Sequence, residues 1–233
     1  MSSDTIALGT AAMLGFLHAL EVDHMVAVTT FVSRRPSLGS AGRFGLRWGL
    51  GHSVAVLLAG GAVLATGLRW PEHYDALGEG LVGLMLIGLG LWAIAAARKL
   101  HLHPVEEHGD HAHLHLHGPA RPHGHAHHEP DHHPHEHGGI TLVGLLHGLA
   151  GTTGVVALVP VTMVDRVGLG LGYLTAFGVG VTVAMTLFAL AAAAVMRRAT
   201  AGSLAWGRGA VGLVGGSGIA VGLWWIAAAA GLL

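Results

Sequence analysis

The chain has 233 residues, of which 52% are hydrophobic and only 11% charged, with 38 glycines, 20 histidines and no cysteine. Soluble domains carry about 25% charged residues, so the composition argues against a water-surrounded globule, and a formal net charge of -1 lacks the basic footprint of a nucleic-acid binder. Without cysteine there are no disulfides, thiolate metal sites or thiol catalysis, so any metal must be held by His nitrogen and carboxylate oxygen.

The opening Met1-Ser2-Ser3-Asp4-Thr5 lacks the cationic n-region of a cleaved signal peptide, so the first apolar stretch is expected to be retained. Runs of roughly 20 predominantly apolar residues fall at 5–33, 45–68, 77–97, 139–164, 167–196 and 209–232. The expected fold is an all-α polytopic membrane protein with six transmembrane helices. Arg34, Arg35, Arg43 and Arg47 fall after the first run, Arg98, Lys99 and Arg121 after the third, and Arg197, Arg198 and Arg208 after the fifth. Ten of the twelve cationic residues therefore share one side, with only Arg69 and Arg166 opposite. The positive-inside rule makes the richer side cytoplasmic and puts both termini outside a cell membrane. Trp70 and Tyr74 read as interfacial anchors at the outer end of the second run, and the glycines of the spans read first as helix-packing positions.

The first run is interrupted by His18-Ala19-Leu20-Glu21-Val22-Asp23-His24. A buried Asp costs about 2.5 to 3.5 kcal/mol on insertion scales, so intramembrane ionisable residues mark function by default. A cluster that only held helices together would be met by one or two Ser, Thr or Asn. At about 100° per residue, His18, Glu21 and His24 form a stripe while Asp23 points elsewhere. Either Glu21 joins the two histidines on a continuous helix, or the helix opens and Asp23 turns in. Residues 5–33 would span roughly 43 Å as one helix, longer than the hydrocarbon core, which favours a break.

His52, in Gly51-His52-Ser53, and His147, in Leu146-His147-Gly148-Leu149-Ala150-Gly151, are two more intramembrane histidines. Together with His18, His24 and a carboxylate they make a nitrogen-rich donor set suited to Ni, Co or Zn divalent ions rather than Mg or Ca. Between the third and fourth runs, residues 101–137 hold 15 of the 20 histidines with almost no apolar content. Such a tract is expected to be disordered. It reads as a cytoplasmic metal reservoir or sensor, with a plain tether or a pH sensor as alternatives.

The chain also repeats itself. Leu81 to Ala97 matches Leu213 to Ala229 at 11 of 17 positions with an offset of 132. Gly15-Phe16-Leu17-His18-Ala19-Leu20 aligns with Gly144-Leu145-Leu146-His147-Gly148-Leu149, and Gly49-Leu50-Gly51 with Gly178-Val179-Gly180, at an offset of 129. Three spans recur in order, and because three is odd the second copy enters from the opposite side. Two inverted three-helix repeats are expected, at 1–98 and 139–233, joined by the His-rich loop at 99–138. Transporters favour this architecture, with the substrate site near the midplane.

The residues in hand resemble the nickel/cobalt transporter superfamily (NiCoT and NicO), particularly its short UreH-type members. His18, Asp23 and His24 meet its His-x4-Asp-His signature, Met25-Val26-Ala27-Val28-Thr29-Thr30 continues in the family's manner, Gly51-His52-Ser53 is similar to its second-helix Gly-His motif, and His147-Gly148-Leu149-Ala150-Gly151 is similar to the HGLAG stretch of the UreH type. The resemblance implies permeation of Ni(II) or Co(II) as transported substrate, with the first-helix motif as metal site and no prosthetic cofactor. The expected metal residues are His18, Asp23, His24, His52, Glu21 and His147. Expected partners are a divalent transition-metal ion and the lipid bilayer, with a cytoplasmic metallochaperone as a candidate and no nucleic acid.

Uptake by a secondary permease is the leading expectation. Metal efflux, a zinc transporter and a non-transporting membrane metal sensor are the alternatives. No Walker A motif occurs, which argues against ATP hydrolysis, and no His-Glu-x-x-His lies within an apolar run, where an intramembrane metalloprotease would need it, so an enzyme is not expected.

Overall fold

The computed structural model describes residues 2–34, 37–67, 73–98, 100–102, 114–116, 136–150, 166–201 and 204–232. Seven helices occur among them: α1 Ser3–His18, α2 Val22–Arg34, α3 Leu38–Thr66, α4 His73–Arg98, α5 Glu136–Ala150, α6 Val167–Ala201 and α7 Leu204–Ala229. Their ends follow local chemistry. The Ser2 and Ser37 hydroxyls cap α1 and α3, accepting the backbone N–H of Thr5 and Ser40. Gly67 ends α3 at φ 65, a left-handed conformation that glycine adopts without Cβ strain.

Four helical stretches, Leu38–Thr66, Ala76–Ala95, Val167–Arg198 and Trp206–Ala229, are long and apolar enough to cross a bilayer, and the bent pair α1 plus α2 makes a fifth. The chain is therefore a polytopic helical membrane protein. The six expected spans are not reached among the described residues. The 15 residues of α5 rise only about 22 Å, short of the hydrocarbon thickness, and 151–165, the rest of the expected fourth span, lie outside the described residues. So do Trp70 and most of the histidine tract.

One feature departs from an all-helical chain. Leu100–Leu102 (β1) and Leu114–Leu116 (β2) pair antiparallel, with His101 opposite His115. Both segments read Leu-His-Leu, the period-two alternation of a strand.

The break expected in the first span lies at Ala19–Glu21, where α1 and α2 meet at 58°. Leu20 N–H bonds to Leu17 O and Glu21 N–H to His18 O, both at 3.0 Å, so the chain tightens into i→i+3 turns before α2 restarts.

Helix packing runs through glycine, and its pattern is reciprocal. Gly15 of α1 meets the Phe177 backbone of α6, while Gly144 of α5 meets the Trp48 backbone of α3. Gly51 meets Thr141 while Gly180 meets Ala12, and Gly49 meets Thr182 while Gly178 meets Ser53. Each pair of contacts exchanges when residue numbers are shifted by 129. The α4–α7 interface behaves alike with a shift of 132: Gly83 meets Gly222 and Ile226, and Gly215 meets Gly90 and Ile94. Small residues let these backbones touch, which is how helices associate where lipid removes the hydrophobic drive. Ser53 joins its own counterpart. Its hydroxyl donates to Gly49 O at 2.7 Å and Gly178 O at 2.8 Å, which leaves Thr182 Oγ1–H as the donor across the 3.1 Å to Ser53.

Trp48, Phe44, Phe177, Leu86, Leu174 and Met185 fill the core, whereas Leu58, Leu84, Leu187 and Leu213 face outward. In a bilayer those outward leucines meet lipid rather than water.

Candidate metal centre

The buried His and Asp side chains among the described residues gather at one place. Asp23, His24, His52 and His147 are buried there, and His18 is partly buried beside them. The residues come from four helices. His18 ends α1, Asp23 and His24 open α2 just past the break, His52 lies midway along α3 and His147 near the end of α5.

The break does the sorting that a continuous helix would not. It swings Asp23 inward, where it accepts the Nδ1–H of His24 at 3.2 Å on Oδ1 and the Nε2–H of His147 at 2.9 Å on Oδ2. Glu21 accepts the Nδ1–H of His18 at 2.9 Å, and its side chain is 53% exposed. Each of these three imidazoles thereby uses one nitrogen as donor, so in the neutral ring the other is a lone pair. His18 Nε2, His24 Nε2, His147 Nδ1 and both nitrogens of His52 are buried with no hydrogen-bond partner. Buried polar atoms are ordinarily paired, and so many imidazole nitrogens left open in one place is the arrangement of ligands awaiting a cation.

Two sets of three fall within metal-holding reach. The ligand atoms of His18, His24 and His52 lie within 4.8 Å of one another, as do those of Asp23, His24 and His147. Ring centroids are 4.8 Å apart for His18 and His24, 5.3 Å for His18 and His52, and 4.2 Å for His24 and His147. All six sequence-predicted residues thus gather in one region, with Glu21 at its edge. A carboxylate behind a histidine fixes the ring's tautomer and orientation and raises its basicity, the usual support of a metal-bound imidazole.

The aromatic walls are not evident from the motifs alone. Phe177 lies 5.5 Å from the His18 ring and Trp48 5.7 Å from the His147 ring, both aromatic residues being buried. Residues 48 and 177 differ by the repeat offset, as do 18 and 147, so extending the self-comparison past the glycines would have found them. A cavity of about 550 Å³ beside the cluster is lined by Glu21, Val22, Asp23, Ala220, Val221, Trp224 and Trp225. It brings open space to the two carboxylates from the α7 side.

A broken membrane helix, an enclosed cluster of imidazoles and carboxylates, and an adjoining cavity set a candidate cation site inside a polytopic helical membrane protein. The urease accessory protein UreH of Bacillus sp. (strain TB-90) is 32% identical to this chain over 181 residues, which cover 76% of this chain and 71% of that protein. The chain belongs to that family, the UreH-type members of the nickel/cobalt transporter superfamily. No family model and no solved structure matches the chain.

Proposed function

We propose that this protein is a secondary permease that carries Ni(II), with Co(II) as a second substrate, across the cell membrane through the buried histidine cluster. The observation that carries the reading is the set of unpartnered ring nitrogens of His18, His24 and His52 within 4.8 Å of one another in the membrane-embedded core. Three imidazoles with Asp23 and Glu21 behind them make a borderline donor set. It suits nickel and cobalt and disfavours magnesium and calcium. Membership in the UreH family supports the same reading.

The route crosses two inverted three-helix repeats, 1–98 and 139–233, with six spans, both termini outside and the histidine tract at 99–138 on the cytoplasmic side. The reciprocal glycine contacts support that symmetry, and the cationic residues support the orientation. Inward flow needs no coupled ion, because an inside-negative potential supplies about 2.3 kcal/mol per charge per 100 mV, and a divalent ion gains twice that.

Purified protein in liposomes tests this directly. Nickel is expected to accumulate when an inside-negative potential is imposed and to stop when it is collapsed. Absence of flux under any potential or pH gradient would sink the reading, and zinc outcompeting nickel would reassign the substrate.

A further inference from the structure

The two metal-holding sets share one residue, and that sharing has a direction. We infer that the cluster provides two adjacent ion positions hinged on His24, and that the ion crosses the midplane by stepping from the His18–His24–His52 position to the Asp23–His24–His147 position. The inference rests on the permeation reading above and deepens it.

The two nitrogens of His24 face different partners. Nε2 is unpartnered and buried, while Nδ1–H is bonded to Asp23 Oδ1 at 3.2 Å. The first position is therefore open in the unloaded protein: His18, His24 and His52 each present a free nitrogen. The second is latched. Both Asp23 oxygens are engaged, one by His24 Nδ1–H at 3.2 Å and one by His147 Nε2–H at 2.9 Å, while His147 keeps Nδ1 unpartnered, so an ion that binds Asp23 competes with a hydrogen bond for the carboxylate oxygen.

Position in the chain sets the two apart. His18 ends a helix that begins near one terminus, whereas His147 lies near the end of α5, which follows the histidine tract. In the proposed topology the two helices enter from opposite faces, so each position carries the histidine brought to the cluster by a helix from a different side. The distances suit a short step, since the ring centroids of His18 and His147 lie 4.8 and 4.2 Å from that of His24. His24 belongs to both sets, so the same residue stands beside the ion at either position. Among the described residues each position has three protein ligands. Conduction requires sites weak and numerous enough to be left as well as entered.

The sequence repeat explains why there are two unequal positions rather than two copies of one. His147 is the counterpart of His18, but Val181 stands where the second repeat would carry the counterpart of His52. The second half has kept one histidine and borrows Asp23 and His24 from the first.

The test uses the full chain with nickel(II) alone as probe, in two readouts: the rise in thermal unfolding temperature on adding nickel, which reports binding to the folded state, and the maximum flux in phosphatidylethanolamine/phosphatidylglycerol liposomes. His147→Gln, whose carboxamide N–H falls where Nε2 donated to Asp23, is expected to keep the nickel-dependent rise while its maximum flux falls about tenfold or more. His24→Asn, which removes the shared ligand, is expected to lose both. His147→Asn serves as a second substitution if Gln does not give a cooperative transition. Wild-type flux in the His147 variants, or loss of the nickel-dependent rise together with flux, overturns the two-position inference. A wild-type protein that passes no nickel overturns the permeation reading instead.

Discussion

Asp23 is the residue on which the cluster turns. It is buried, it takes one imidazole N–H on each oxygen, and it sits on the first turn after the break. Replacing it with Asn keeps the size but puts an amide N–H₂ where one oxygen accepted, so either His24 or His147 must change tautomer or lose its bond. Supporting carboxylates of this kind are worth roughly 10 to 100-fold in metal affinity. Asp23→Asn is expected to raise the half-saturating nickel concentration for flux within that range, and kinetics in liposomes would read it. Glu21→Gln is expected to do less, because the amide oxygen can still accept the His18 Nδ1–H. The identities of these residues were legible in the sequence, since ionisable groups in apolar runs stand out by cost alone. Their roles were legible in part. A helical wheel sends Asp23 away from the histidines, and the length of the run pointed to the break that, at Ala19–Glu21, brings it back.

At the scale of the helix, the glycine contacts decide stability. A Cβ on Gly83 would stand 2.6 Å from Gly222 O and 2.7 Å from Ile226 Cγ1, and on the equivalent Gly215 it would stand 2.8 Å from Gly90 O and 2.9 Å from Ile94 Cγ1. Backbone atoms cannot step aside, so α4 and α7 must separate. Overpacking of this kind costs about 1 to 3 kcal/mol. Gly83→Ala and Gly215→Ala are expected to lower the unfolding temperature by similar amounts, whereas Gly88→Ala, with nothing within 4 Å of the added carbon, is expected to leave it unchanged. Gly148→Ala tests the same physics beside the site: its Cβ would press on the His52 backbone at 2.6 Å, so flux should fall along with stability. The sequence announced that small residues mattered. It did not say which faced which until the offset of the repeat was applied to each contact.

For the whole molecule, the separation of the histidines is the organising fact. Fifteen of 20 fall within 101–137 and four in the apolar spans. If transport belongs to those four, a chain lacking 103–135 should still carry nickel at a maximum rate within about twofold of wild type, with any change falling on the half-saturating concentration. Loss of flux in that deletion, with His18→Ala leaving it intact, would make the tract the working part. The long, strongly apolar spans were readable by length and composition. Span four was not fully recovered, because the described part of it is α5 alone. The short β1–β2 pair was overlooked for another reason: composition says whether a tract can bury a core, and three-residue ladders need none.

The 58° bend between α1 and α2 has an electrostatic consequence beyond the aim of one carboxylate. A helix carries roughly half a negative charge at its C-terminal end and half a positive charge at its N-terminal end, and a continuous span would keep both at the membrane surfaces. Breaking at Ala19–Glu21 brings the negative end of α1 to the protein interior beside His18, while the positive end of α2 is met at once by Asp23 in its first turn. The two backbone ends offset one another at the break, so the carboxylate of Asp23 leaves that point negative and favours a cation where lipid alone would repel one.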